Sequence, residues 1–432
     1  MSDAAVSDPA PQDPALVDRV LRHLDVDRVV ELTRALVTVP SLPGEEEPGQ
    51  DAAAALLAAA GMDVERVTTP EADLLDHPAF SSEVARGALH GVIGRVGGTG
   101  GDAQAGLLID GHIDVVPLGD PSRWSVDPWA GQVVDGRVYG RGACDMKGGI
   151  AAAIAAVEAI RTAGVVLERP LALATVVGEE DGGSGTLALL EQGVRADAVL
   201  IPEPTELTVV PTVAGALSWR IHVPGRAAHG CLREEGVSAI EVFRVVHDAV
   251  LAFEAQRNAA VDDPLFAWLE RPYAICGGRL FAGDWASSEA DHLVWEGRYG
   301  VAPGEDEAGA RAAFEAAVAA AAGDHPFLAT HPPQVEWWGG QFHAAATDPA
   351  ALVVSAARAA VAAEFGGKAT VRGMPYGCDA GLTAGYGGMP TVVLGPGDIR
   401  AAHTADESVA VEQLLAAARI DVRMILAACG VR

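Results

Sequence analysis

Hydrophobic and polar positions follow two regimes along this chain. Short continuous apolar runs at 107–109, 170–177, 198–201 and 389–394 have the pattern of strands buried on both faces. Shorter strand-like stretches occur at 64–67 and 88–96. Between the runs, apolar residues recur at helical spacing over 27–37, 45–60, 145–163, 186–192, 349–365 and 411–428. Gly61 and Gly164 close two of these helices, and Pro40 to Gly44 stops the first. Strands alternating with helices predict a largely parallel sheet covered on both faces. The pattern changes near Ala214. Residues 216–223 alternate like a strand with one open face, followed by a helix at 236–253, a strand at 293–301 and a helix at 307–321. That order predicts a small α+β domain with an antiparallel sheet. The expected fold is therefore α/β: a discontinuous larger domain, 15–213 and 332–432, with an insert at 214–331.

Composition narrows the class. At 432 residues the chain is too long for one ordinary core. No uninterrupted apolar run can span a bilayer, so no membrane partner is expected. Residues 1–14 are small, acidic and proline-punctuated, which predicts a disordered tail and not a signal peptide. Five scattered cysteines fit a reducing compartment, and a cytoplasmic location is expected. With 30 basic against 59 acidic residues, the chain should repel nucleic acid. The glycine-rich stretch 97–106 lacks the G-K-S/T of a phosphate loop and reads as a turn between strands. Lys147 and Lys368 are the only lysines, and Lys147 lies two residues after Asp145.

The chemistry gathers where strands end. His112 and Asp114 leave the run at 107–109 with one residue between them, so both can face one cleft. Asp145 precedes the long Ala-rich helix; Glu179 and Glu180 follow the run at 170–177; Glu203 follows that at 198–201; His403 follows that at 389–394. Ligands of open α/β sheets bind at such carboxyl ends. Each residue taken alone has a bland explanation, as a surface histidine or a solvated acidic turn. Together they form a set of carboxylates that would repel one another unless a cation compensates them. Imidazole with carboxylate suits zinc and neighbouring divalent ions. So many candidate ligands exceed one tetrahedral zinc, whereas two metals sharing a carboxylate would use five of them.

The motifs G-H-I-D-V-V-P, G-R-G-A-C-D-M-K-G-G, G-E-E-D-G-G-S-G-T, P-E-P-T, G-R-A-A-H-G, G-P-G-D and A-H-T-A-D-E carry a resemblance. The chain resembles the di-zinc aminoacylase and carboxypeptidase family, which includes acetylornithine deacetylase, succinyl-diaminopimelate desuccinylase and glutamate carboxypeptidase. The resemblance implies two divalent ions per chain, zinc with cobalt or manganese as alternatives. It implies that Asp145 bridges them, with His112 and Glu203 completing one site and Glu180 and His403 the other. Asp114 would be the carboxylate that holds the His112 ring, and Glu179 the general base. The insert would be a dimerisation domain that forms a homodimer, with His229 reaching the partner's active site. Arg298 would grip a substrate carboxylate, with an ordinary strand-surface arginine as the alternative. Close relatives of acetylornithine deacetylase carry Val-Pro where this chain has Glu289-Ala290, which leaves the substrate open. The leading expectation is hydrolysis of an N-acyl amino acid, acetylornithine deacetylase-like. A dipeptidase, carboxypeptidase or desuccinylase is the alternative within the family. A non-catalytic binding protein with a degenerate metal site is the alternative outside it.

Overall fold

The apolar runs become the centre of a sheet. The computed structural model describes residues 13–98 and 104–432, and they divide into two compact units. The first comprises residues up to Thr212, Ala346–Arg372 and Cys378–Arg432. Neighbouring strands of its main sheet run in the order Asp63–Pro70, Ala88–Val96, Leu171–Val176, Leu107–His112, Val199–Pro204, Thr391–Gly395 and Val209–Val213. The four consecutive strands from Leu171–Val176 to Thr391–Gly395 are mutually parallel, with antiparallel neighbours on both sides. Every residue of those four is buried, as strands covered on both faces must be.

Helix Gly148–Thr162 shows why the sheet can be covered so tightly. Twelve of its 15 residues are buried, because alanines fill nearly every face. It packs against helices Val26–Val37 and Val411–Cys429. A Cβ on Gly149 would sit 2.2 Å from the Pro202 carbonyl oxygen, so only glycine permits this approach of helix to strand. The helix thereby brings Asp145, just ahead of it, against the end of the strand that carries Glu203.

The second unit comprises Val213–Ala345 and Gly373–Gly377. Its antiparallel sheet has the order Ile275–Ala282, His292–Val301, Gly215–Pro224, Gln334–Phe342. Leu217, Trp219, Ile221 and Val223 point inward from one strand at the two-residue period. Helices Ala239–Ala259 and Glu307–Gly323 supply Val242, Val246, Val250, Phe314 and Val318 to the same core. The other face is polar, with Arg220 donating to Glu296 at 2.8 Å and His222 beside Glu336 at 3.0 Å.

Two expectations change, and one strand was not expected. The insert's second boundary, expected at residue 331, falls at Ala345 because Gln334–Phe342 pairs with Gly215–Pro224. Strand Ile275–Ala282 carries little apolar signal because it is a sheet edge, mostly exposed and bulged at Gly277–Arg279. Within the expected tail, Asp13 and Pro14 instead begin helix Pro14–Leu21, with the Asp13 carboxylate accepting from the Ala15 amide at 3.0 Å. Residues 1–12 of that tail, and 99–103 of the expected glycine-rich turn, lie outside the described residues.

Candidate metal centre and active site

Four parallel strands and the segment ahead of helix Gly148–Thr162 deliver the acidic and imidazole side chains to one place. His112 is the last residue of Leu107–His112, and Glu203 the penultimate residue of Val199–Pro204. Glu179 and Glu180 follow Leu171–Val176 in a turn that Gly178 and Gly182 shape at φ 70° and 141°. His403 lies in the loop after Thr391–Gly395 and itself takes φ 60°, a conformation rare for a non-glycine residue and concentrated at functional sites.

Asp145 stands between two donor groups. Its Oδ1 lies 3.2 Å from His112 Nε2, and its Oδ2 lies 3.4 Å from His403 Nε2. Glu203 Oε1 is 3.4 Å from His112 Nε2, and Glu180 Oε2 is 3.0 Å from His403 Nε2. His112, Asp145 and Glu203 thus form one set, and Asp145, Glu180 and His403 another; within each, the candidate ligand atoms lie within 4.8 Å of one another. Glu179 is 6 % exposed, and its Oε2 stands 4.0 Å from His112 Nε2. Its carboxyl makes no hydrogen bond among the described residues.

Asp114 departs from expectation. Its carboxylate lies 3.8 Å from the His112 ring, and His112 Nδ1 instead donates to the Asp114 main-chain carbonyl at 2.9 Å. The Asp114 carboxylate accepts from the Glu180 amide at 3.0 Å. The chain turns sharply at the strand end, bringing the carbonyl to the ring and freeing the buried side chain to bind the neighbouring turn. Because a carbonyl only accepts, the proton sits on Nδ1 and the Nε2 lone pair is aimed at the carboxylates once that nitrogen is deprotonated.

The electrostatics identify what the groups are suited to hold. No arginine or lysine among the described residues pairs with Asp145, Glu179, Glu180 or Glu203; only the imidazoles face them. Burial and the Asp145 charge push the Glu203 carboxyl up to about 8. Burial raises Glu179 well above the usual carboxylate range, with Glu203 adding to the effect. His403 is pushed up to about 11, first by Glu180. Burial opposes protonation of His112, but Glu203 and Asp145 overcome it and hold the ring charged. Asp145 is likewise desolvated, yet the two imidazolium rings keep it ionised. Protons are thus standing in for cationic charge. Two imidazole nitrogens and three carboxylates, one of them common to both groups, could hold divalent metal ions.

The fold adds residues that sequence reasoning did not single out. Glu407 is buried, accepts from the Cys144 and Asp145 amides at 3.0 and 3.1 Å, and pairs with buried Arg141 at 2.5 Å. It therefore anchors the backbone of the shared aspartate, and its place inside A-H-T-A-D-E was the available signal. Lys147, already marked in the sequence as one of two lysines, is fully buried and donates to the Val39 carbonyl at 2.9 Å; desolvation draws it down to about 7. Thr186 lies within hydrogen-bonding distance of both Asp110 and Asp379, at 3.0 and 2.7 Å, tying the His112 strand to the helix after the Glu179–Glu180 turn.

His229 and Arg298 belong to the second unit. His229 is exposed, and its Nδ1 accepts from the Cys231 amide at 3.2 Å. That contact places the neutral ring's proton on Nε2, which is left as a donor. Arg298 donates to the Pro375 carbonyl at 2.7 Å and has no carboxylate partner among the described residues.

Comparisons with known proteins identify the family of the chain. Residues 108–427 match the model of peptidase family M20/M25/M40. The chain is 28 % identical over 367 residues to N-formyl-4-amino-5-aminomethyl-2-methylpyrimidine deformylase of Bacillus subtilis, covering 78 % of this chain and 83 % of that one. It is 46 % identical over 116 residues to succinyl-diaminopimelate desuccinylase of Rhodospirillum centenum, but that match spans 24 % of this chain and 28 % of the relative. Among solved structures, human carnosine dipeptidase 1 superposes with TM-score 0.73 at 15 % identity, over 97 % of this chain and 100 % of that one. The Saccharomyces cerevisiae dipeptidase Dug1p gives 0.75 at 15 %, over 96 % and 98 %, a likeness of fold. The chain belongs to peptidase family M20/M25/M40 and is a hydrolytic enzyme of that family.

Proposed function

We propose that this enzyme removes an acyl group from an N-acyl amino acid, in the manner of an acetylornithine deacetylase, by hydrolysing the amide with water. The observation that carries the reading is the Asp145 carboxylate, one oxygen toward each donor group, with Glu179 buried and unbonded beside them. His112 and Glu203 would hold one divalent ion, Glu180 and His403 a second, with Asp145 shared. When bound, such ions polarise a scissile carbonyl and bring the pKa of an attacking water toward neutrality.

The remaining chemistry falls to side chains. Glu179 would accept the water's proton and pass it to the departing amine, a role for a carboxyl that no donor immobilises. His229 would donate from Nε2 to the developing oxyanion. The Arg298 fork, with no acid of its own, would take the substrate's carboxylate. The matched deformylase and desuccinylases remove acyl groups by name, which supports an acyl substrate over a peptide. The exposed edge strand Ile275–Ala282, with Leu280 and Phe281 outward, supports a homodimer formed through the second unit.

The test is a zinc-loaded preparation assayed on acetylated, formylated, succinylated and dipeptide substrates. Release of amine from an acyl amino acid, lost on chelation and restored by about two zinc ions per chain, is expected. Exclusive cleavage of dipeptides would overturn the acyl reading, and full activity after exhaustive chelation would overturn the metal reading.

A further inference from the structure

Two adjacent glutamates at the end of a strand pose a problem of register. Glu179 and Glu180 are assigned different tasks, yet a small rotation of their turn would exchange which one faces the Asp145–His403 group. A buried guanidinium lies behind this turn. The Arg86 side chain is 2 % exposed and its Nη1 donates to Asp181 Oδ2 at 2.9 Å, while Nη2 lies 2.9 Å from Asp181 Oδ1. Asp181 Oδ2 accepts also from Ser82 Oγ and the amides of Glu83 and Val84, at 3.1, 3.1 and 2.9 Å. Arg86 Nε donates to Glu46 at 2.8 Å. The segment bearing these donors is pressed against the turn, since a Cβ on Gly182 would lie 2.4 Å from the Ser81 carbonyl oxygen.

We propose that Arg86 and Asp181 are positioning residues for the hydrolytic reaction: the guanidinium fork fixes Asp181, and Asp181 sets the register of the Glu179–Glu180 turn. The turn is then held on both sides of Glu180, by Asp181 behind and by Asp114 accepting from the Glu180 amide in front. The Gly182 amide donates to the Glu179 carbonyl at 3.1 Å and completes the turn. Stability alone is a weak account of the arrangement, because burying an ion pair costs about as much in desolvation as the attraction returns. Fixing one geometry out of several is a role such a pair can fill.

This inference rests on Glu179 as the proton carrier and Glu180 as a metal-holding residue, so the experiment measures both. Asp181→Asn keeps the shape and loses the charge; Arg86→Lys keeps the charge and loses the fork. Metal-stripped variants are titrated with zinc by calorimetry, and kcat and KM are measured at saturating zinc, with Glu179→Gln in parallel. In both variants one zinc should bind as in the wild type and the other about tenfold weaker or more, since Glu180 serves only one group. The kcat should fall about 10- to 100-fold with KM within about twofold, the signature of misplaced catalytic groups. Because the two residues act as one unit, the double variant should be little worse than the worse single one. A folded Asp181→Asn chain with wild-type kcat and both zinc affinities intact overturns the proposal, as does equal weakening of both ions. If that result comes with an inactive Glu179→Gln, only the positioning inference fails. A fully active Glu179→Gln overturns the reading beneath it as well.

Discussion

Removing the metals should leave a protein that grows less stable as the pH rises through neutrality. In the metal-free site Glu203 is held up at about 8 and Asp114 at about 7, both by burial, against ordinary values of 4.5 and 3.8. A carboxyl that binds its proton more tightly in the folded state contributes stability at low pH and loses it as pH climbs toward the folded value. Between about pH 6 and about pH 8, Glu203 removes roughly 2 kcal/mol and Asp114 roughly 1. Lys147 runs the other way: its folded value is drawn down to about 7 from 10.5, so raising the pH relieves a buried charge, worth roughly 1 kcal/mol in return. The net is a loss of about 2 kcal/mol. His112, His403 and Glu179, all raised, add losses of the same sign, while Asp145 is ionised throughout and contributes no slope. The assay is urea or thermal denaturation of the chelated protein across this range, repeated with zinc. Zinc displaces the site's protons, so the loaded protein should be more stable and its dependence flatter or reversed. Chelated protein as stable at about pH 8 as at about pH 6 would refute the assignment of these charges.

Other predictions follow from single residues. Glu179→Gln should retain metal and lose about 10²–10⁴-fold in kcat, whereas Glu180→Gln should lose metal; identical behaviour on metal analysis would sink the distinction. Arg298→Ala should raise KM for a substrate bearing a carboxylate and leave an amidated analogue unaffected; equal effects on both would remove Arg298 from recognition. Mixing His229→Ala with Glu179→Ala chains should restore roughly a quarter of wild-type activity if His229 works across a dimer, and verified exchange without recovery would show that it does not. Phe314, fully buried against Trp219 at 5.4 Å between ring centroids, should cost about 3–5 kcal/mol on replacement by alanine, read from denaturation of the insert.

The residues that end the buried strands were legible because burial writes itself into sequence. A strand covered on both faces must be continuously apolar, so a histidine or glutamate at its end stands out, and Leu107–His112 and Val199–Pro204 announce His112 and Glu203 in this way. Helices show equally well where they bury a stripe, as Val26–Val37 and Val411–Cys429 do. Edge strands do not: Ile275–Ala282 is mostly exposed and bulged, and Gln334–Phe342 is only partly buried, so neither carries the period-two signal and the insert's boundary was drawn short. Contacts made by main-chain atoms leave no trace in a side-chain pattern. That the Asp114 carbonyl, and not its carboxylate, holds His112 depends on how the chain turns after the strand. Long-range pairings are equally silent: Glu407 reaches the Asp145 amide across 262 positions, and Arg86 reaches Asp181 across 95. The sequence alone determined which side chains are available and that they sit at strand ends, because local burial and turn chemistry suffice for that. Only the tertiary structure decided which atoms face one another, since a hydrogen bond between distant residues is set by the packing of whole elements and by no local pattern.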